Sequence, residues 1–176
     1  MLRKSFFFIF FLSNFFLINL VNAEELKINY VDIDKIISQS DAGKKLNKSI
    51  ETSVNKKNKE FQKIEASLKE KDTEIVKQQN ILSKEELNKK IKDLQKEVQN
   101  YRNEKDKFRK NIAEKKLKAT GQMVTSLNKI LGKYANENSF SLIIQKKNIV
   151  IGKSNMDITK QILKIFNKEV KEIKIN

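Results

Sequence analysis

The chain has 176 residues and a formal net charge of +15 at pH 7, and it contains no Cys, His, Pro or Trp. These absences exclude histidine-based acid–base catalysis, thiol nucleophiles, Cys/His zinc sites and disulfides. The four glycines are isolated, so they form no phosphate-binding loop, and the acids lie on polar helix faces. We therefore predict a protein that is not an enzyme and that uses no cofactor and no metal.

Residues 1–23 have the layout of a signal peptide. Arg3 and Lys4 precede an uncharged run at 6–21 that is rich in Phe, Leu and Ile. Ala23 ends this segment and strongly polar sequence begins at Glu24, so cleavage after Ala23 is expected and the mature protein should work outside the cytoplasm. The alternative is an uncleaved inner-membrane anchor, for which the apolar run is short.

The mature chain opens with a short predicted strand. Residues 27–33 carry β-branched and aromatic side chains in partial alternation, which is typical of a strand. Asp34 is then expected to cap a brief helical turn, and Ser40 or Asp41 to cap the helix that follows.

A narrow apolar stripe at helical spacing follows in otherwise polar sequence, which predicts a coiled-coil seam with gaps near Lys57 and Lys71. Its members are Leu46, Ile50, Val54, Phe61, Ile64, Leu68, Ile75 and Leu82. Ser83 and Glu86 then form a capping-box pattern, which predicts that a new helix begins there. We therefore expect an antiparallel helical hairpin with its tip around residues 78–85. One continuous helix through Ser83 is the alternative.

The second helix keeps heptad register for more than thirty residues. The stripe consists of Leu87, Ile91, Leu94, Val98, Tyr101, Lys105, Phe108, Ile112, Lys115 and Ala119. Tyr101 and Phe108 are expected to pack in the seam, whereas Lys105 and Lys115 are expected to interrupt it and let the arms flex.

The sequence after residue 139 predicts two strands and a helix. Residues 140–144 and 148–151 are apolar and β-branched and are separated by a short polar segment, so they should pair as a β-hairpin. Asp157 then opens an amphipathic helix. The predicted fold is α+β and mostly helical, with a long antiparallel helical hairpin at 41–136 inserted into a small strand-and-helix body at 24–40 and 137–176. Such a body is small for a core of its own, so oligomerisation is expected.

Four parts of the mature chain follow one another in a specific order: a Lys-Ile-Asn-Tyr-Val-Asp strand from Lys27, a long polar helical insertion, a Ser-Leu-Ile-Ile strand at 141–144 and an Asp-Ile-Thr helix start at Asp157. This order resembles the Skp/OmpH family of periplasmic chaperones over essentially the whole mature chain. The resemblance implies a homotrimer whose helical hairpins surround a cavity. Unfolded outer-membrane β-barrel proteins would be held there without ATP, and the family brings no catalytic residues.

Under this resemblance the trimer body is expected to use apolar residues of the predicted strands and last helix. These are Ile28, Tyr30, Val31, Ile33, Leu142, Ile144, Ile149, Ile151 and Ile162. Residues 41–136 hold 25 Lys and Arg against 14 Asp and Glu, so the hairpin should attract negatively charged clients and anionic lipid or lipopolysaccharide surfaces. The candidate contacts near the tip are Lys77, Lys84, Lys89 and Lys90.

Two other functions compete with this interpretation. A structural coiled-coil spacer or tether of the cell envelope would need the hairpin but not the strands that the tail predicts. Nucleic-acid binding would suit the isoelectric point of about 9.8, but three Arg, no basic motif interleaved with aromatics and a secretory signal argue against it.

Overall fold

The computed structural model describes residues 26–173, so the predicted signal peptide lies outside the described residues. The strands are β1 (Ile28–Val31) and β2 (Leu142–Gln145), and the helices are α1 (Ile33–Gln39), α2 (Asp41–Gln78), α3 (Lys84–Glu137) and α4 (Thr159–Glu169). Two short 3-10 turns at Lys146–Asn148 and Ser154–Met156 join β2 to α4. Across residues 26–173, no helix is both long enough and apolar enough to cross a bilayer.

Helices α2 and α3 form the predicted antiparallel hairpin, which we call the arm. At 38 and 54 residues they measure about 57 Å and about 81 Å. The reversal begins after Gln78, and α3 starts with the predicted capping box: the N–H of Glu86 donates to Ser83 Oγ at 3.3 Å, and the N–H of Ser83 donates to Glu86 Oε2 at 3.1 Å. The alternative of one continuous helix through Ser83 is therefore wrong.

The strands pair differently from the sequence prediction. β1 and β2 form a parallel two-stranded sheet in which Ile28 lies opposite Leu142. Residues 148–151 contain no strand, so the predicted hairpin of 140–144 with 148–151 is wrong. Instead the chain turns after Gln145 through a 3-10 turn that closes with a bond from Ile149 N–H to Lys146 O at 3.0 Å. This turn leads the following residues away from the ladder, and β2 takes its partner from the other end of the chain.

The hydrophobic core lies where the arm joins the strands and α4. The buried residues of this cluster are Val31, Ile36, Ala42, Leu46, Ala119, Met123, Leu127, Ile130, Ile158, Ile162 and Phe166. Six of them, Ala42, Leu46, Ala119, Met123, Leu127 and Ile130, belong to α2 and α3. The sequence analysis expected the core to come only from the residues outside 41–136, whereas the arm contributes more than half of the buried core residues. The core of the body is therefore larger than the length of the strands and of α4 suggested.

A tight elbow connects α1 to α2. Asp32, rather than the expected Asp34, caps α1, because the strand ends at Val31 and Asp32 Oδ1 accepts from the N–H of Lys35 at 2.9 Å. Ser40 caps α2, as expected, by accepting from the N–H of Gly43 at 3.1 Å.

The elbow leaves no room for a side chain at Gly43. A Cβ at Gly43 would lie 1.8 Å from the carbonyl oxygen of Ile37, whereas a Cβ at Gly121 would meet nothing within 4 Å. Gly43→Ala should therefore force α1 and α2 apart and destabilise the fold by about 1–3 kcal/mol or more. Gly121→Ala, the matched control inside α3, should stabilise it by about 1 kcal/mol through helix propensity. Urea unfolding followed by circular dichroism measures both, and equal stability of the two variants would contradict the tight elbow.

Candidate functional site

The predicted body residues divide into buried, half-buried and exposed groups. Tyr30, Val31 and Ile162 are buried within the chain, and Ile33, Ile144 and Ile149 are half-buried. Ile28, Leu142 and Ile151 are exposed, the last at 91% of its surface. The exposed group has the most surface free to contact another chain.

In the exposed group, Leu142 is on β2, Ile28 is opposite it on β1, and Ile151 is in the loop that follows β2. We call the unpaired side of β2 the open sheet edge. Within residues 26–173, β2 pairs with β1 alone, so its other side carries unpaired strand N–H and C=O groups. Val150 is 97% exposed. Val150 is not among the predicted body residues, because its exposure depends on the turn after Gln145 and not on a strand at 148–151.

The loop that carries Val150 and Ile151 is fastened to β1 and to the start of α4. The hydroxyl of Tyr30 donates to Lys153 O at 3.3 Å, and Lys146 Nζ donates to Asp157 Oδ2 at the same distance. Lys146 also lies 5.9 Å from the centre of the Tyr30 ring. These contacts hold the loop in place although two of its apolar residues face water.

Polar side chains cross-link the two helices of the outer arm. Glu65 on α2 accepts hydrogen bonds from the hydroxyl of Tyr101 and, at 3.1 Å, from Lys105 Nζ. Lys71 Nζ lies 2.6 Å from an oxygen of Glu97. The expectation that Lys105 interrupts the seam is therefore wrong, because its ammonium bridges to the opposite helix. Lys115 is exposed. At the gap predicted near Lys71, the ion pair of Lys71 with Glu97 joins the two helices.

An aromatic cluster reinforces the cross-link at Glu65. Phe61 is 3% exposed and makes edge-to-face contacts with the rings of Tyr101 at 5.7 Å and Phe108 at 6.0 Å. Such pairs add about 0.5–1.5 kcal/mol beyond the area they bury. The prediction that Tyr101 and Phe108 pack in the seam is confirmed.

The acidic groups of the arm whose pKa values are shifted form hydrogen bonds that stabilise the hairpin. The hydrogen bond from Tyr101 and then that from Lys105 lower the pKa of Glu65 from its ordinary value, and the hydroxyl of Ser83 does the same for the pKa of Glu86. In residues 26–173 no group of three or more Asp or Glu side chains is arranged to hold a metal ion. The shifted acids are exposed and hydrogen-bonded, not enclosed in a cleft.

The four candidate lysines flank the turn at the tip of the arm, but they are not equivalent. Lys77, Lys84 and Lys89 are exposed, whereas Lys90 is half-buried and donates to Gln78 Oε1 at 2.7 Å, which ties α3 to the end of α2. Ile81 lies between them in the turn and is 82% exposed. One signal for Ile81 is present in the sequence: Ile81 and Leu82 are adjacent, and Leu82 belongs to the predicted stripe, so Ile81 has to point away from the seam.

The fold and this geometry define a protein in which a long, basic helical hairpin projects from a small base that joins the two ends of the chain. The family model described as "Outer membrane protein (OmpH-like)" matches residues 27–166, so the chain belongs to the OmpH-like family. This confirms the resemblance found in the sequence.

Comparison with solved structures agrees with this assignment at the level of the fold. A crystal structure from Caulobacter crescentus CB15, described as that of a candidate outer membrane chaperone (OmpH-like), is similar with a TM-score of 0.78. The similarity covers 86% of this chain and 89% of that chain at 14% sequence identity, so it shows the fold alone. Comparison with curated proteins gave no significant match.

The Lys146–Asp157 pair leads to a prediction about acid stability. Burial works to raise the pKa of Asp157, but hydrogen bonds from Thr159 and the Lys146 ammonium outweigh burial and lower this pKa. The carboxylate therefore stabilises the fold above the ordinary Asp pKa of about 3.9, and the contribution is lost as pH falls through the folded value. Asp157→Asn should be less stable than wild type at neutral pH, and the difference should shrink in acid. Urea midpoints across this range measure it, and a difference that stays constant would contradict the assignment.

Proposed function

We propose that this protein is an ATP-independent holdase chaperone of the periplasm that captures unfolded outer-membrane β-barrel proteins and prevents their aggregation. The observation that carries this proposal is the arm: residues 41–136 hold 25 basic against 14 acidic residues on a hairpin that extends far beyond its base. Membership of the OmpH-like family supports it. A signal peptide cleaved after Ala23 would deliver the chain to that compartment.

The open sheet edge supports a homotrimer as the working assembly. Unpaired strand edges readily accept another strand, and proteins normally cover such an edge. Val150 and Ile151 lie in the loop that follows β2 and are in nearly full contact with water, and burying such a side chain contributes about 1.5–3 kcal/mol. In a head-to-tail ring of three chains, each chain would cover the open sheet edge of its neighbour. A closed ring of such heterologous contacts leaves no edge uncovered.

Three arms around a common cavity would hold clients by charge and confinement together. Charge attracts a client of net negative charge, and the Debye length of about 8 Å at physiological salt limits this attraction to short range. Many weak contacts of this kind permit later release without ATP. Anionic lipid or lipopolysaccharide would meet the same lysines at the tip of the arm.

The assembly can be tested at Ile151. Because its side chain is 91% exposed, Ile151→Asp should leave the protomer folded while placing a charge in the proposed interface, at a cost of several kcal/mol. Leu117→Asp is the matched control, since Leu117 is an exposed apolar residue of α3 that lies away from the sheet. Sedimentation should give a trimer for wild type and for the control, and a helical monomer for Ile151→Asp. A wild-type monomer at micromolar concentration would contradict the trimer.

The function can be tested with a urea-unfolded outer-membrane β-barrel protein diluted into buffer without nucleotide. The mature protein at a few-fold molar excess should keep the client soluble, whereas a spacer or tether would leave its aggregation unchanged. Reversing Lys77, Lys84 and Lys89 to Glu should slow capture, because charge affects the encounter rate most strongly. Reversing Lys160, Lys164 and Lys168 on the exposed face of α4 changes the charge equally and should slow it less.

Salt distinguishes charge from confinement in this experiment. Between about 50 mM and about 500 mM salt the Debye length falls from ~14 Å to ~4 Å, so electrostatic capture by the wild-type protein should slow markedly. The tip variant should lose most of this dependence. If wild type and the tip variant suppress aggregation equally fast at both concentrations, confinement alone accounts for capture and the lysines have no role in it.

A further inference from the structure

Helix α4 is bonded to both ends of α1. The N–H of Asp32, before α1, donates to Thr159 Oγ1 at 2.9 Å, and the N–H of Asp41, after α1, donates to Asn167 Oδ1 at 2.9 Å. Thr159 is buried, with 4% of its surface exposed. Because the residue numbers rise together on both helices, α1 and α4 run parallel and are joined at two points about 12 Å apart.

The two bonds are directional, whereas the packing between them is not. Ile36 on α1 and Ile162 and Phe166 on α4 are fully buried in the shared core. Apolar contacts of this kind hold two helices together but tolerate sliding and rotation better than hydrogen bonds do. The bonds to Thr159 and Asn167 therefore restrict the orientation of α1 on α4 in addition to this packing.

The arm must follow the orientation of α1. At the elbow after α1, Gly43 lies close to the carbonyl of Ile37, and the buried Ser40 donates to that carbonyl and accepts from the N–H of Gly43, so bending between α1 and α2 is restricted at this point. A third bond, from Lys45 Nζ to Lys171 O at 3.3 Å, ties the first turns of α2 to the segment after α4.

We propose that α4 acts as an angle clamp for the arm, with Thr159 and Asn167 as the positioning residues that set how far the arm leans from its base. The length of the arm amplifies changes at its root. A rotation of about 10° would move a residue about 33 Å along α2, such as Lys63, by about 6 Å, and would move the tip by about 10 Å. In the proposed chaperone, and only if that function holds, the clamp would set the width of the client cavity.

Distance measurements between two spin labels on one chain test the clamp. Because the natural chain has no Cys, Lys63→Cys on α2 and Lys160→Cys on the exposed face of α4 place labels at these two sites alone. Labelled chains are diluted into an excess of unlabelled full chains, so the distances remain within one chain whether or not the protein is a trimer. The result is therefore independent of client capture.

Asn167→Ala and Thr159→Val remove one acceptor each, and Thr159→Ser restores the hydroxyl. Each removal should shift the mean distance by several ångströms or at least double the width of the distance distribution, and Thr159→Ser should match the parent. Ile165→Ala is the control for simple destabilisation, because Ile165 packs against the core from α4 and provides neither acceptor. It should lower the unfolding midpoint without changing the distances.

Two results would overturn the clamp. The first is a distribution for Asn167→Ala and Thr159→Val that matches the parent while circular dichroism shows that both are folded. The second is a broadening in Ile165→Ala equal to that in the two acceptor variants, which would mean that general packing sets the angle. Failure of the aggregation assay with an unchanged clamp result would count against the chaperone function alone.

Discussion

The apolar cluster at the root of the arm is the contact on which the other parts depend. Phe166 and Ile162 come from the last helix, Val31 from the first strand and Met123 from the middle of the chain, and all four are buried together. A projecting hairpin can keep its direction only if its root is held, since within residues 26–173 no other element packs against its outer part. Placing core residues on α2 and α3 themselves lets a small base hold a long arm.

The outer arm is stabilised in a different way from its root. Its seam is only one or two side chains wide, so it buries little apolar surface per turn, and polar cross-links such as Glu65 with Lys105 accompany the aromatic contacts of Phe61. Exposed ion pairs contribute little individually, but their positions favour one register of α2 against α3. Such a surface remains polar and basic while its helices stay paired.

The local features of the fold could be predicted from sequence because their causes are local. The helical periodicity predicted the two helices of the hairpin. Ser83 and Glu86 predicted where the chain reverses, since a capping box involves residues only three apart. The pairing of β1 with β2 could not be predicted in this way. The apolar run at 148–151 suggested a neighbour for 140–144, whereas the actual partner lies at the other end of the chain.

The candidate site was predictable in composition but not in detail. The sequence showed an excess of lysine on the arm, yet it could not show that Lys90 is bonded to Gln78 or that Lys105 reaches Glu65, because both bonds cross between helices. It named Ile151 but missed Val150, since the exposure of both depends on a turn after Gln145 and not on alternation along a strand. Contacts between distant segments account for each of these differences.

The parallel pairing of β1 with β2 also sets the order in which the protein can fold. Lys27 and Ser141, which are bonded at the start of this sheet, are separated by 114 residues. Closing a flexible loop of that length would cost about 4 kcal/mol in chain entropy. When the helical hairpin forms first, it brings β1 and β2 close together and lowers this entropy cost. Helix formation in the arm should therefore precede strand pairing. As the chain is synthesised, β1 emerges first and has no partner until β2 has followed.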